Sequence, residues 1–560
     1  MAIDYIKAKN GMHTVEYEGY LLHSKYNPQR EAQMFVEKNI EPYKLNIIFG
    51  YGLGYVAQEI KSLKVNSENV LFIEPIPELK HTLSSDFEVL YTTNLMDIRY
   101  KIEQRLSFFD VKINVIHLPN YNHLFLQAYN DLLTMVAEVQ NLNLVYENTV
   151  YKSSESWQKN NIYSVLYALK NHSIEKLKDA YNVPVIIASG GPSLSKQLNM
   201  LKEIRSSVLL IASGSTVSSL IAEAIEPDYI VTIDGGMKNY ERHFKSLNVR
   251  EAELIFTPSS NYNIQKEFPN REFLVLHHGE KKLQKYLKEQ YDFFAPTFIG
   301  GGSVANFALE IAMYITNGPI AIIGQDLAYT NNMTHAENNK NAEKIDIKTR
   351  KDIIKTKGYY DNIVFTDYSL LAMKRHFEMI VGHYPEENVR LFNCTEGGVK
   401  IEGLQQCAFN HFVSNFVDTQ LEVKKINVSI KNNGNEQFIK QMQEELKIYQ
   451  KIKQKYVEAL RLLKSNSSTT QFSQNILSKL DSIDGEVIKL KQKVILERID
   501  DPISLFVMNK FKPNSKETAE EIYQRVYKQN LTLYKFSLEA LEKTITYTKE
   551  VIVEAKENIL

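Results

Sequence analysis

The sequence predicts an α/β protein in which a mostly parallel sheet carries the ligand site and a helical region closes the chain. Three observations predict it. Short, nearly uninterrupted apolar runs recur through the first two thirds of the chain and end in turns rich in Gly, Ser and Asp, as strands buried on both faces do. Stretches with apolar residues at helical spacing separate them. Beyond residue 418 the Gly-rich turns vanish and only intervals of three and four remain. A length of 560 residues fits three domains, at roughly 150 to 200 residues each. The boundaries expected are 1–146, 147–417 and 418–560.

In the first domain, KLNIIFGYGLGYVAQEI followed by NVLFIEP reads as strand, Gly-rich turn, helix, strand and acid. Gly52, Gly54 and Ala57 fit the G-x-G-x-x-A fingerprint, and Glu74 lies about 20 residues on, where a ribose-binding acid would sit. At face value this is a dinucleotide or S-adenosylmethionine site. The reading adopted is a Rossmann-like domain that has kept the turn as structure, because the segments downstream carry a fuller ligand constellation. Residues 122–180 have few Gly or Pro and read as a helical connector, with the single tryptophan, Trp157, read as packing.

The central domain opens on VPVIIASGGPSLS (183–195), a strand, a turn of phosphate size and a helix. Gly190 and Gly191 are expected to turn with positive φ and let an anion approach main-chain N–H groups. Pro192 presets φ for a first helical turn, and Ser193 adds a hydroxyl at the positive end of the helix. A second unit, VLLIASGS, releases Ser213, Gly214, Ser215 and Thr216 at its strand end. A third, DYIVTIDGG, releases Asp234 and two glycines. Carboxyl ends of parallel strands are where open α/β sheets bind ligands, so a nucleotide is the expected ligand class. Farther on, Gly300, Gly301, Gly302 and Ser303 form another donor-rich turn, and the strand PIAIIG delivers Gln325 and Asp326. An acid there is expected to take ribose hydroxyls, and Gln325 to read a base edge.

On these residues a resemblance rests. The GPSL turn, the GGGS turn and the GQDLAYT strand end resemble the nucleotide-binding core of the sialyltransferase-like enzymes that use a CMP-activated sugar. With LLHSKYNPQREA (21–32), TIDGG, the THA at 334–336 and NCTEGGVKIEG (393–403), the set resembles the motility accessory factor (Maf) family of flagellin glycosyltransferases. The resemblance implies a sialyltransferase-like central domain. It also implies transfer of a nonulosonic acid, pseudaminic or legionaminic in type, from its CMP ester to Ser or Thr of flagellin, in support of flagellum assembly and motility. The donor substrate takes the place of any separate cofactor. Glu396, Gly397 and Gly398 are carried over as an active-site wall.

Such a transfer needs a base for the acceptor hydroxyl and donors for the departing phosphate. His335, in the loop YTNNMTHAENN, is the expected base, because an unperturbed imidazole titrates near neutrality. Asp234, His277 and His278 are rivals. Tyr329, and Tyr359 or Tyr360, are candidate donors to the phosphate or simply packing. TIDGG offers one acid rather than a D-x-D pair, so metal-independent transfer is expected, with no metal ligands. Cys394 reads as a small buried residue rather than a nucleophile.

Past residue 418, Phe438, Met442, Leu446, Tyr449, Ile452, Tyr456, Leu460 and Leu463 form one apolar stripe, and a second helical run extends to about Ile499 after a polar break at Ser465–Thr470. From Tyr523 to Ile552 the pattern repeats. These stripes need partners: one another, a second copy in a homo-oligomer, or flagellin. Two cysteines argue for a reducing compartment, and 66 basic against 67 acidic residues argue against nucleic acid as a partner. No apolar run approaches membrane-span length and the N-terminus lacks a secretory signal, so a cytoplasmic location is expected. Two other readings stay open. One is a nucleotide-dependent pyrophosphokinase, since the GPSL core also resembles the archaeal hydroxymethylpterin enzymes. The other is a non-catalytic flagellin-binding chaperone.

Overall fold

In the computed structural model, the apolar runs Leu45–Phe49 and Val70–Ile73 are buried along their whole length at the centre of a parallel sheet. Its strand order is Glu88–Leu90, Val70–Ile73, Leu45–Phe49, Ile113–His117. An antiparallel meander of three strands, from Ile3 to Leu21, precedes it. The structure describes all residues except 1–2, 43, 64, 82–85, 107–111, 172, 351, 429–433, 467–469, 514–516 and 558–560.

A second sheet has eight strands, all parallel. Their order is Glu272–Leu274, Glu253–Phe256, Tyr229–Thr232, Leu209–Ser213, Val185–Ala188, Ile320–Ile323, Leu391–Asn393, Gln405–Gln406. The period of two is explicit in its burial. Ile186, Ala188, Leu210 and Ala212 join one core, and Val185, Ile187, Leu209 and Ile211 join the core on the opposite face. From Val185–Ala188 the order grows one way along the sequence, and Ile320–Ile323 adds on the other side. That is a topological switch point, the crevice where doubly wound sheets take ligands.

The chain divides into two compact units, Met1–Lys152 and Ser153–Leu560. The expected boundary at 146/147 falls inside one continuous helix, Leu126–Leu169, and the division lies a few residues later. The expected boundary at 417/418 is not a division of this kind. Helices Gly434–Ser465, Gln474–Lys491, Glu497–Lys510 and Ala519–Glu557 belong with the eight-stranded sheet, because Phe438, Met442, Val551, Ile552 and Ala555 share a core with Leu274, Leu283 and Leu287. Their remaining stripes meet one another: Tyr449, Ile452, Tyr456 and Leu463 pack with Leu480, Ile483, Tyr534 and Leu541. The apolar faces expected to need a partner therefore find it within the chain. The second helical run is interrupted between Lys491 and Glu497, and of the expected polar break, 467–469 lie outside the described residues. Among the described residues no helix is long and apolar enough to cross a membrane.

Candidate functional site

The GGPS turn leaves the strand Val185–Ala188 directly beside the end of Ile320–Ile323, and the two are bonded across the switch point. Gly191 N donates to Gly324 O at 2.7 Å. Ser193 donates to Asp326 twice, from N at 3.0 Å and from Oγ at 2.7 Å, and Thr330 Oγ1 donates to the same carboxylate at 2.6 Å. Burial pushes the Asp326 carboxyl up from its ordinary range, against the hydrogen bonds of Thr330 and Ser193, which pull it down.

This arrangement corrects three expectations. Neither Gly190 nor Gly191 has a positive φ, and Gly191 is extended, at φ −71° and ψ 161°. Glycine is required there for space, since a Cβ on Gly191 would stand 2.3 Å from Asp326 Oδ2. Asp326 is 1% exposed and its oxygens are engaged by Ser193 and Thr330, so it braces the turn rather than facing a ribose. The chain after Pro192 is a 3-10 turn followed by a helix of six residues, because the first donors of the turn go to Asp326 instead of to an open anion site.

The segment NCTEGG closes over the same brace. Val399 N donates to Asp326 O at 2.8 Å, and a Cβ on Gly397 would lie 2.2 Å from Ser193 Oγ. Glu396 Oε2 accepts from Phe409 N at the start of the helix Phe409–Phe416, so this wall residue holds a helix end. Gln325 N donates to Thr395 Oγ1 at 3.1 Å, while its buried Oε1 has no hydrogen-bond partner among the described residues. Cys394 is fully buried and its thiol is pushed up by burial, as a packing residue's would be.

His335 sits at this crevice. Ala336 N donates to Gly190 O at 2.9 Å, and Asn339 Nδ2 donates to Ser215 O at 2.9 Å, so the loop is tied across two strand ends. A Cβ on Gly190 would meet Asn339 Nδ2 at 2.9 Å, Thr216 Oγ1 at 3.3 Å and His335 Cδ2 at 3.6 Å. Burial lowers the His335 pKa from 6.5, opposed by the Asn341 backbone and Glu343. Ser213 and Thr216 share a hydroxyl contact of 2.6 Å at the head of the helix Gly214–Ala222. Asp234 is exposed one strand farther, with Oδ1 accepting from Gly236 N at 2.8 Å. Trp157 lines this edge, since a Cβ on Gly235 would stand 3.0 Å from its ring.

Other candidates lie elsewhere or are committed. The strand Thr297–Phe298 pairs with Leu276–His277 in a separate small sheet, and the GGGS turn goes with it. Ile299 N and Gly300 N donate to buried Glu310, a Cβ on Gly301 would meet the His376 ring at 2.7 Å, and Ser303 caps the helix Val304–Ile315. Three of the donors expected for a phosphate, Ile299 N, Gly300 N and Ser303 Oγ, are thus engaged within the chain, and a Cβ on Gly302 would meet no atom within 4 Å. His277, which accepts from Gly279 N, lies beside Phe307 and is driven down to about 4 by burial; His278 N bonds Phe298 O. Tyr329 donates to Asp367 and accepts from Arg350 at 2.7 Å, so its phenol is engaged in an ion-pair cluster. Tyr359 donates to Cys407 O at 2.9 Å, and Tyr360 stands exposed over Glu396. Among the described residues no three His, Cys, Asp or Glu side chains stand together as a metal ligand set.

In the first unit the fingerprint turn is filled by its own chain. Glu74 accepts from Tyr51 N (2.8 Å), Gly52 N (2.9 Å), Ile76 N (2.8 Å) and Tyr121 Oη (2.7 Å), and Leu53 N donates to His23 Nε2 at 2.8 Å. Gly52 has φ +57°, and a Cβ there would lie 2.4 Å from the His23 ring. The anion at this nest is the protein's own carboxylate. Sequence reasoning missed His23 because its partner turn is 30 residues away, although it stands inside the LLHSKYNPQREA motif.

A parallel sheet whose strand order reverses at one switch point defines a doubly wound α/β protein, a class in which ligands lie at that crevice. Residues 158–332 match the family described as 6-hydroxymethylpterin diphosphokinase MptE-like. No curated protein matches the sequence. Among solved structures, the fold is similar to that of the MAf glycosyltransferase from Magnetospirillum magneticum AMB-1, with a TM-score of 0.54 and 13% identity, covering 100% of this chain and 93% of that chain. The chain is thus Maf-like in fold from end to end, helical region included.

Proposed function

We propose that the chain is a glycosyltransferase that moves a nonulosonic acid, of the pseudaminic or legionaminic type, from its CMP ester to a Ser or Thr hydroxyl of flagellin. The observation that carries the reading is the seating of His335 against Gly190 and Thr216 at the switch point, where a nucleotide ester would lie. In the reaction the bond from the anomeric carbon to the phosphate oxygen breaks, the acceptor oxygen bonds to that carbon, and its proton passes to His335. CMP leaves as the monoester. Burial favours the neutral imidazole, the form a base requires. Gln325 Oε1, buried without a partner, suits the amino group of cytosine. Asp234 is the alternative base, and no metal or further cofactor takes part in this scheme.

The test is transfer from CMP-pseudaminic and CMP-legionaminic acid to flagellin, read by the intact mass of flagellin, beside CMP binding by calorimetry. His335→Gln is expected to abolish transfer and keep CMP binding. Absence of both CMP binding and transfer in the native chain would overturn the proposal. A pyrophosphokinase is the second reading, favoured by the match over 158–332; it requires consumption of ATP with hydroxymethylpterin under the same conditions.

A further inference from the structure

One turn beside the crevice has a buried ring nitrogen without a hydrogen-bond partner among the described residues. After TIDGG the chain makes a single π-type turn, Tyr240–Phe244, a geometry that recurs at functional sites. Its last residue, Phe244, lies on the first residue of the nine-residue helix Gly214–Ala222, where a Cβ on Gly214 would stand 2.4 Å from the ring. The turn is therefore fixed at that helix's positive end, beside Ser213, Ser215 and Thr216. Asn341 joins it to the His335 loop. Arg242 Nη1 donates to Asn341 Oδ1 at 3.1 Å, Asn341 Nδ2 meets His243 Nε2 at 3.1 Å, and Asn341 N donates to Asn339 Oδ1 at 2.9 Å.

The hydrogen bonds settle the protons. A guanidinium only donates, so the amide oxygen must face Arg242 and the amide N–H₂ must face His243. His243 Nε2 accordingly accepts, and the proton of the neutral ring sits on Nδ1. His243 is 5% exposed, and its Nδ1 has no hydrogen-bond partner among the described residues. A buried N–H without an acceptor among the described residues, in the positive field of Lys340, Arg242 and His335 that Asp234 opposes, is a feature that an anionic oxygen completes.

We propose that His243, oriented by Asn341 and backed by Arg242 and Lys340, holds a phosphate oxygen of the nucleotide ligand at the head of the helix Gly214–Ala222. The inference rests on the nucleotide-site reading and names the phosphate-recognising half of that site. It makes His243 a binding residue and Asn341 a positioning residue that acts by choosing the tautomer.

Trp157 is the only tryptophan and lies against Gly235, next to Asp234, so its emission reports on this edge in the full-length chain. The experiment titrates native protein, His243→Phe and Asn341→Leu with CMP, cytidine and inorganic pyrophosphate. Native protein is expected to prefer CMP to cytidine by about tenfold or more, the scale of one hydrogen bond to a charged group. His243→Phe keeps a ring in the packing and removes the donor. Asn341→Leu keeps the size but removes the amide that faces Nε2, so nothing holds the His243 proton on Nδ1. Both variants are expected to lose the preference for CMP and to bind cytidine as before, which a merely structural role would not produce. Retention of the preference in both variants overturns the inference while leaving the nucleotide reading intact. If neither CMP nor cytidine binds the native chain, the nucleotide reading fails and pyrophosphate decides: a response lost in His243→Phe supports the anion site, and no response in the native chain overturns it.

Discussion

Asp326 accepts hydrogen bonds from both the main-chain N–H and the hydroxyl of Ser193, 133 residues earlier. The pair locks the two strand ends that flank the switch point. Because Thr330 donates to the same carboxylate, the loop leading to His335 is referred to the same anchor. The two strand ends and the loop that leads to His335 are therefore held by one buried acid.

Removing that acid should leave the donors of Ser193 buried and unmet. Asp326→Ala is expected to lower stability by about 2–4 kcal/mol, and Ser193→Ala by about 1 kcal/mol. Denaturant unfolding checks both. CMP binding should be lost with Asp326→Ala through collapse of the turn; a variant as stable as the native chain would show the brace to be dispensable.

The glycines of the wall offer a matched pair. Gly398 has φ +70° and a Cβ there would stand 2.0 Å from Asp326 O, whereas Gly302 has no atom within 4 Å of a Cβ. Gly398→Ala is expected to destabilise the chain by more than about 1 kcal/mol, through strain and overlap together, and to weaken CMP binding. Gly302→Ala should stay within about 0.5 kcal/mol of native. Melting temperatures of the two variants, measured together, make the comparison.

His335 gives a pH signature. Burial lowers its pKa from 6.5, so the neutral base persists to lower pH than a free imidazole would. The acid limb of kcat/KM for transfer is expected to have its midpoint below 6.5, and His335→Gln to remove activity across the range. A limb centred above 6.5 would assign the base to another group.

The filled fingerprint predicts a silent nucleotide site and an acid-labile unit. Adenosine compounds should give no binding heat attributable to the first unit, because Glu74 and His23 occupy its donors. His23 is driven from 6.5 down to about 4 by burial. The unfolded chain therefore binds a proton that the folded chain refuses. The stability His23 contributes is whole above pH 6.5 and is lost as pH falls toward 4, about 3 kcal/mol in all. Unfolding of native and His23→Gln protein at pH 7 and pH 4.5 should show the native loss reduced in the variant.

Much of this architecture was legible because short apolar runs such as Val185–Ile187 and Leu209–Ile211 have few other fates, and because Gly, Ser and Asp at their ends mark where the strands turn. The sequence reading placed Ser193, Asp326 and Ser303 in one cleft; the structure joins Ser193 to Asp326, whereas the turn that leads to Ser303 follows a strand of a separate small sheet. What was not legible depends on distant pairing. Asp326 looks identical in sequence whether it faces a ribose or Ser193. The GGGS turn resembles a phosphate loop until Glu310, ten residues later, is seen to bind Gly300 N. Tyr329 becomes a poor donor only through Asp367 and Arg350. His243 gave no sequence signal of its own, since its role arises from an amide nearly a hundred residues away.

The junction between the helical region and the sheet carries a second titrating anchor. Glu445 is fully buried; it accepts from Tyr286, from Tyr449 Oη at 2.9 Å and from Ile495 N at 3.2 Å, so one carboxyl joins three segments. Burial outweighs these hydrogen bonds and pushes its pKa up from 4.5 to about 7. The folded chain thus holds a proton that the unfolded chain releases near 4.5. The associated stability is whole below pH 4.5 and is lost as pH rises through 7, by about 3 kcal/mol. Glu445→Gln keeps the size and an acceptor oxygen without the charge. Its unfolding free energy should therefore gain on the native value between pH 5 and pH 8, and denaturant titrations at those two pH values that show a constant difference would assign the carboxyl a purely geometric role.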